Sequence, residues 1–190
     1  MNIAMSTALK VLGIAGSLRK GSYNRGALRT AQELAPESLS IETFDLQGIP
    51  PFNGDQESPP PERVVQLKAA VRAADAILFA TPEFNYSIPG VLKNAIDWAS
   101  RPYGDSAWEG KPVALMGASP GNLGTARAQY HLRQVFVFLN MFPLNRPEVM
   151  ISNADEKFDD QGNLTDQATR ERIGKLLVSL ESWTRQLLKR

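Results

Sequence analysis

Five short apolar runs alternate along the chain with stretches of helical periodicity, and this alternation constrains the fold more than any other feature. The runs are LKVLGIAGS (9–17), LSIETFDL (39–46), DAILFAT (75–81), KPVALMGAS (111–119) and PEVMIS (147–152). Each is of strand length and closes on glycine, serine, proline, threonine or an acidic neighbour. Inside the runs apolar residues follow one another without polar alternation, the pattern of strands covered on both faces. The expectation is an α/β fold with a parallel sheet, helices on either side and right-handed crossovers. The clearest helix covers 88–99, where Ile88, Val91, Leu92, Ala95, Ile96 and Ala99 share one face, Ser87 is available as N-cap and Pro89 stands near the first turn. Further helices are expected at 23–34, 61–73, 124–139 and 167–188, which makes five βα units. At 190 residues these fit one domain. The proline-rich stretch 47–62 reads as a loop, and 157–166 as a small hairpin around Asp160 to Asn163, with Thr165 capping the last helix.

Composition removes several chemistries. With 21 basic and 20 acidic side chains, there is no bulk charge to suggest nucleic acid. The absence of cysteine excludes disulfides, thiolate nucleophiles and cysteine-ligated metal clusters, and His131 is the single histidine, so no metal-ligand spacing exists. Any redox chemistry is therefore borrowed from a cofactor. His131, beside Tyr130 and without an evident carboxylate partner, is assigned a structural or interface role, and Trp98 and Trp108 are read as packing residues. Asp97 is placed on the polar side of its helix. The opening MNIAMSTA has neither a basic n-region nor a long apolar h-region, so a cytoplasmic location is expected.

In sheets of this kind ligands sit beyond the carboxyl ends of the strands, where crossovers diverge. Three loops meet there: 16–24, 81–87 and 119–124. The first, GSLRKGSYNRG, sets Ser17, Ser22 and Asn24 among Arg19, Lys20 and Arg25 immediately before a helix. Hydroxyls, backbone N–H groups, a helix N-terminus and arginine together suit a phosphate. Residues 16–22 imitate a P-loop but lack its lysine, and Gly13, Gly16 and Gly21 miss the G-x-G-x-x-G spacing of dinucleotide folds. A monophosphate remains, and FMN is the common one in this architecture.

Three segments taken together, GSLRKGSYNRGAL, TPEFNYSIPGVLKNAIDWASRP and GASPGNLGTARAQYHLRQV, resemble the NADPH-dependent FMN reductase family, in particular its bacterial quinone and chromate reductases. The resemblance runs over nearly the whole chain. It implies a flavodoxin-like three-layer fold, a five-stranded parallel sheet in the order 2-1-3-4-5, bound FMN, and NADPH or NADH as hydride donor. It further implies ping-pong reduction of quinones, with chromate, azo and nitro compounds as other acceptors. Carried over by residue, Ser17, Arg19, Ser22 and Asn24 hold the phosphate, Pro82, Glu83, Asn85, Tyr86 and Ser87 line the ribityl chain and ring, and Ser119 and Gly121 close the other side. Hydride travels through the flavin, so no side-chain acid or base is obligatory. A flavodoxin-like electron carrier and an FMN reductase that releases reduced flavin stay as alternatives, although the balanced charge disfavours the acidic docking face of a carrier.

The segment TPEFNYSIPG raises its own question, since it sets Glu83, Asn85 and Tyr86 between prolines. Pro82 and Pro89 restrict the backbone, so that amides such as those of Asn85 and Tyr86 can face a flat aromatic ligand with little entropy left to lose. Arg19, Lys20 and Arg101 are candidate contacts for a 2′-phosphate. The helix 124–139 carries a second stripe of Arg127, Tyr130, His131, Gln134 and Phe138, residue types suited to an interface. A homodimer or homotetramer is expected, with Arg127 and Tyr130 bonding across to Glu148 or Tyr86 of a neighbour.

Overall fold

In the computed structural model, which describes residues 8–189, all five apolar runs become strands and all five periodic stretches become helices. The leader discussed above lies almost entirely in residues 1–7, outside the described residues. In chain order the elements are β1 (Leu9–Ala15), α1 (Tyr23–Glu33), β2 (Leu39–Phe44), α2 (Glu62–Ala73), β3 (Ala76–Ala80), α3 (Gly90–Ala99), β4 (Pro112–Ala118), α4 (Ala126–Phe138), β5 (Phe142–Pro143), β6 (Val149–Ile151) and α5 (Gln167–Leu188). All strand pairs are parallel, in the order β2-β1-β3-β4-β5, with β6 also paired to β4. This is the flavodoxin-like order.

Side chains alternate along each strand between two cores. Val11, Leu78, Met116 and Ile151 point to the layer of α1 and α5, where Ala27, Leu28, Ile173 and Leu177 meet them. Ile14, Ile77, Phe79 and Leu115 point to the layer of α2, α3 and α4, against Leu67, Leu92, Leu132 and Phe136. Double coverage explains the unbroken apolar runs. Trp98 and Trp108 are packing residues: Trp108 is fully buried against Phe79, and each indole N–H donates to a backbone carbonyl, of Pro50 for Trp98 and of Ile96 for Trp108.

The fifth run, 147–152, is strand β6, and the two-residue strand β5 before it lies outside the five runs. β5 pairs with the start of β4 (Pro112 and Val113), and β6 pairs with its end (Met116 to Ala118). The segment LNRPE between them contains Pro147, which cannot donate to a ladder, and the backbone leaves the sheet there. The sheet therefore has six strands.

Two expected helix caps are corrected. α3 begins after Pro89, which occupies the N-cap, and Ser87 is turned to α4 instead, its Oγ 2.9 Å from Nδ1 of His131. At α5 the N-cap is Asp166, whose carboxylate accepts from the Thr169 N–H at 2.8 Å; the Thr165 hydroxyl donates to the Lys157 carbonyl across the 157–166 hairpin. Carboxylates lead the N-cap ranking and threonine follows, so adjacent Thr165 and Asp166 were ambiguous in the sequence. The loop 47–62 is irregular apart from one short turn at Gly54–Gln56. Asp97 lies on the polar side of α3, where Lys93 pairs with it one turn away.

At Gly117 in β4 the chain has no room for a side chain. A Cβ there would lie 1.9 Å from Thr125 Oγ1 and 2.4 Å from the Thr81 carbonyl oxygen, so the start of α4 can sit on the sheet only over a glycine. Gly117→Ala is expected to destabilise the protein by about 1–3 kcal/mol or more, as overpacking does, measured as a reduced urea midpoint with unchanged slope.

Candidate functional site

The β1–α1 loop, the β3–α3 loop and the β4–α4 loop converge at the carboxyl ends of the strands around a cavity of about 130 Å³. It is lined by Ser17, Arg19, Ser22, Asn24, Pro82, Glu83 and Ser119 among the residues named from sequence, joined by Tyr23, Phe84, Ala118 and Pro120. Asn85, Tyr86, Ser87 and Gly121 stand outside its lining.

Ser22 is the N-cap of α1, yet its hydroxyl makes no capping bond. The first-turn N–H groups of α1, which no intrahelical carbonyl can satisfy, thus face the cavity together with a buried serine hydroxyl. A ligand phosphate fits these donors: it replaces the missing cap and benefits from the helix dipole. Arg19 stands at the rim with its guanidinium 5.5 Å from the Tyr23 ring centre. Ser17 stabilises the loop itself, its Oγ accepting from the Arg19 N–H at 3.3 Å. Arg25 holds the loop from behind, donating from Nε to the Ser17 carbonyl and from Nη2 to both oxygens of Asp45 at 3.0 Å.

Asn24 lines the cavity, but its carboxamide is engaged elsewhere. Nδ2 donates to the Ala118 carbonyl at 3.0 Å, and Oδ1 accepts from the Ala118 N–H at 2.9 Å. Asn24 thus copies a strand backbone at the end of β4 and fixes α1 to it, a positioning role.

The loop 82–87 is a two-residue hairpin. Phe84 and Ser87 exchange both backbone hydrogen bonds at 3.0 Å, and the two residues between them, Asn85 and Tyr86, have φ of 50° and 66°. These are the left-handed angles of a type I′ turn. Asn tolerates them, but for Tyr86 they are an outlier that the surroundings must impose. The sequence shows no Asn-Gly or Asp-Gly here, so the turn was not legible, and the prolines credited with stiffening the loop only flank it.

What imposes the turn is α4. The Glu83 carboxylate, almost wholly buried, accepts from the backbone N–H groups of Arg127 and Ala128 at 3.0 and 3.2 Å and pairs with the Arg127 guanidinium. Arg127 and Ala128 are the second and third residues of the helix, the two that an N-cap side chain normally serves. The helix's own N-cap, Thr125, is held at φ of 74° and makes no side-chain cap. Glu83 is therefore the cap of α4 supplied from another loop. The same Arg127 lays its guanidinium 3.5 Å from the centre of the Tyr86 ring, and Glu83 beside it holds that guanidinium above its ordinary range. With the Ser87–His131 bond, α4 grips the hairpin at three points. His131 is thus a positioning residue with a hydroxyl partner.

The contacts expected between subunits are made within one chain. Tyr130 donates its hydroxyl to Glu148 Oε1 at 3.1 Å, which pushes its phenol up, and Arg127 stacks on Tyr86 of the same chain. Ser119 Oγ accepts from the Gly121 N–H at 3.1 Å, closing the third loop.

Residues 9–156 match the family model of the NADPH-dependent FMN reductases. The chain belongs to that family. This reductase is 56% identical over 184 residues to the NAD(P)H-dependent FMN reductase of Pseudomonas aeruginosa, covering 96% of this chain and 99% of the relative. It is 41% identical over 178 residues to the 2-hydroxy-1,4-benzoquinone reductase of a Burkholderia species, covering 94% and 97%. Among solved structures it superposes on the flavoenzyme NAD(P)H:(acceptor) oxidoreductase of Paracoccus denitrificans with a TM-score of 0.87 at 36% identity, covering 94% and 98%. This reductase is accordingly an FMN-dependent NAD(P)H oxidoreductase of the FMN- and quinone-reducing kind, which does not favour the electron-carrier alternative.

Glu83→Ala removes the cap of α4 and releases Arg127 from the hairpin. A stability loss of about 1–2 kcal/mol is expected from the cap alone, read by chemical denaturation, together with broadened amide signals at residues 84–87 in NMR spectra of the variant.

Proposed function

We propose that this reductase transfers hydride equivalents from NADPH or NADH to quinones through FMN seated at the three converging loops. The observation that carries the proposal is the uncapped N-terminus of α1, with Ser22 and Arg19 beside it, opening into a cavity shared with the 82–87 hairpin and Ser119. Bound FMN supplies the redox chemistry, accepting hydride from the nicotinamide and passing reducing equivalents to the acceptor. The chain's own residues bind and orient. Ser17, Ser22, Arg19 and the first N–H groups of α1 take the phosphate, while Asn24 sets the height of α1 against β4. Pro82 and the backbone of the 83–87 hairpin form one wall, with Asn85 and Tyr86 at its tip, and Ser119 and Gly121 form the other. Glu83, Arg127 and His131 hold the hairpin in place before a ligand arrives, and dipoles fixed in this way stabilise developing negative charge without reorganising. Chromate, azo and nitro compounds are further acceptors on this scheme, because an open ring face selects by potential and stacking more than by shape.

The protein works in the cytoplasm as a homodimer or homotetramer. Among the described residues no helix is long and apolar enough to cross a membrane. On α4, Tyr130, Val137 and Phe138 are exposed, the last two at 81% and 76%, beside the Arg127, His131 and Gln134 stripe and within reach of Glu148. A second copy is the occupant favoured for this face, since the apolar and aromatic residues continue directly from the flavin hairpin.

The purified protein should be yellow, release FMN and not FAD on heating, and oxidise NAD(P)H with a quinone without a second protein. Turnover that requires a separate reductase would overturn the proposal. Arg19→Ala should weaken FMN binding by about 1.5–3 kcal/mol, the cost of a lost charge-assisted hydrogen bond, with little change in kcat at saturating FMN because such a contact is equal in ground and transition states. For the assembly, light scattering at micromolar concentration should give a mass well above the 20.9 kDa of one chain, falling in Phe138→Glu. A native monomer would remove the α4 face as an interface.

A further inference from the structure

A second cavity, of about 320 Å³, lies on the other side of the β1–α1 loop, between α1 and the carboxyl end of β2. Arg19 and Lys20 are neighbours in the chain but face different cavities, Arg19 the one described above and Lys20 this one. Its floor is apolar, with Ala15, Leu28 and Phe44, and its polar rim is Lys20, Arg25, Arg29, Gln32 and Asp45.

The charges in this cavity do not cancel. Asp45 is its one carboxylate, and both oxygens already accept from Arg25 Nη2 at 3.0 Å, with the Gln47 N–H adding a bond to Oδ1 at 2.9 Å. A further cation, Arg63, lies over the Phe44 ring with its guanidinium 4.1 Å from the centroid, and donates to the Asp45 carbonyl. Lys20 and Arg29 have no carboxylate partner among the described residues; Arg29 is anchored by one bond, from Nη2 to the Gly162 carbonyl at 2.7 Å, and its remaining N–H groups are left over. Gln32 donates to the Ile41 carbonyl at 3.0 Å, which leaves its own carbonyl oxygen as an acceptor for a ligand hydroxyl. An apolar floor, two uncompensated cations and a hydroxyl acceptor, set at the end of two parallel strands, match the chemistry of a phosphorylated ligand with a flat or sugar-like body.

We propose that this cavity binds a phosphomonoester group, separately from the flavin phosphate. Two sources share that chemistry: the 2′-phosphate of NADPH bound for turnover, and a free phosphorylated small molecule that occupies the site beside the loop holding FMN. The first source rests on the reductase function proposed above, and the second does not.

The test uses the FMN-loaded protein titrated with 2′,5′-ADP and, separately, inorganic phosphate, by calorimetry. Saturable binding of 2′,5′-ADP is expected, weakened at least tenfold in Arg29→Gln and in Lys20→Gln while the FMN content of both stays at the wild-type level. If the KM for NADPH rises in Arg29→Gln by a similar factor while the KM for NADH is unchanged, the ligand is the nicotinamide donor. If the probe is lost but both KM values stay put, the ligand is a free phosphorylated compound. Absence of binding by the wild-type protein at millimolar probe, or binding that both variants retain in full, overturns the site. Quinone turnover with NADH, recorded on the same wild-type sample, reports the reductase function independently, so the failure of one is not mistaken for the failure of the other. Thermal unfolding of both variants checks that loss of the Gly162 contact has not unfolded the hairpin, and Lys20→Gln, which breaks no bond within the chain, carries the test if it has.

Discussion

The Glu83 carboxylate is the joint on which the site depends. It comes from one crossover loop and caps the helix that follows another, so the relative height of the β3–α3 and β4–α4 loops is set by a handful of charge-assisted bonds. Each carboxylate oxygen is used, one on the helix amides and the other on the Arg127 side chain. That side chain in turn covers Tyr86, whose left-handed backbone would not persist alone. Strain at Tyr86 and strain at Thr125 therefore lie at opposite ends of a single clamp. Both are offset by burying a charge that the helix N-terminus wants in any case. A wall built this way is rigid before any ligand reaches it, which is what an electron-transfer site needs if reorganisation is to stay small.

The rest of the fold serves to bring these loops to one edge. Two cores, one on each face of the sheet, hold the strands at a common level, and two close approaches fix the helices. Gly117 lets the start of α4 touch β4, and Gly26 lets α1 meet the hairpin at 158–164, where a Cβ would come 2.2 Å from the Gly162 carbonyl. Asn24 closes the remaining gap by pairing with the backbone of Ala118. Positions in the cavity that look like ligand contacts are thus of two kinds: groups left open, such as the Ser22 hydroxyl and the first turn of α1, and groups already consumed in holding the cavity together.

The sequence carried the elements and the place of the site. Uninterrupted apolar runs state that a strand is covered on both faces, and the 3.6-residue stripes of 88–99 and 167–188 leave no other choice of structure. It also marked the β1–α1 loop, where hydroxyls, arginines and a helix start occur in one short segment that lines the cavity. What it withheld depends on contacts distant in the chain. Nothing local to Glu83 reveals that residues 127 and 128 will present unpaired amides to it. Tyr86 carries no glycine signal for a type I′ turn, since its backbone is imposed from α4. Tyr130 and Glu148 were paired across subunits for want of knowing that β6 carries its neighbour back beside α4 within one chain. β5, two residues long at Phe142–Pro143, is too short to leave a periodic signal and stands outside the five apolar runs.

The edge that β5 and β6 share beside β4 has a consequence at the rim of the sheet. An unbroken outer strand offers a row of open N–H and C=O groups on which another chain can be templated. Here the row is cut into lengths of two and three residues, with Pro143 inside one and Pro147 between them. Such fragments cannot seed strand addition from this side, nor the runaway stacking that follows from it. A second chain approaching near β5 and β6 meets side-chain surfaces in place of a long backbone ladder, and such surfaces can be closed, symmetric and selective.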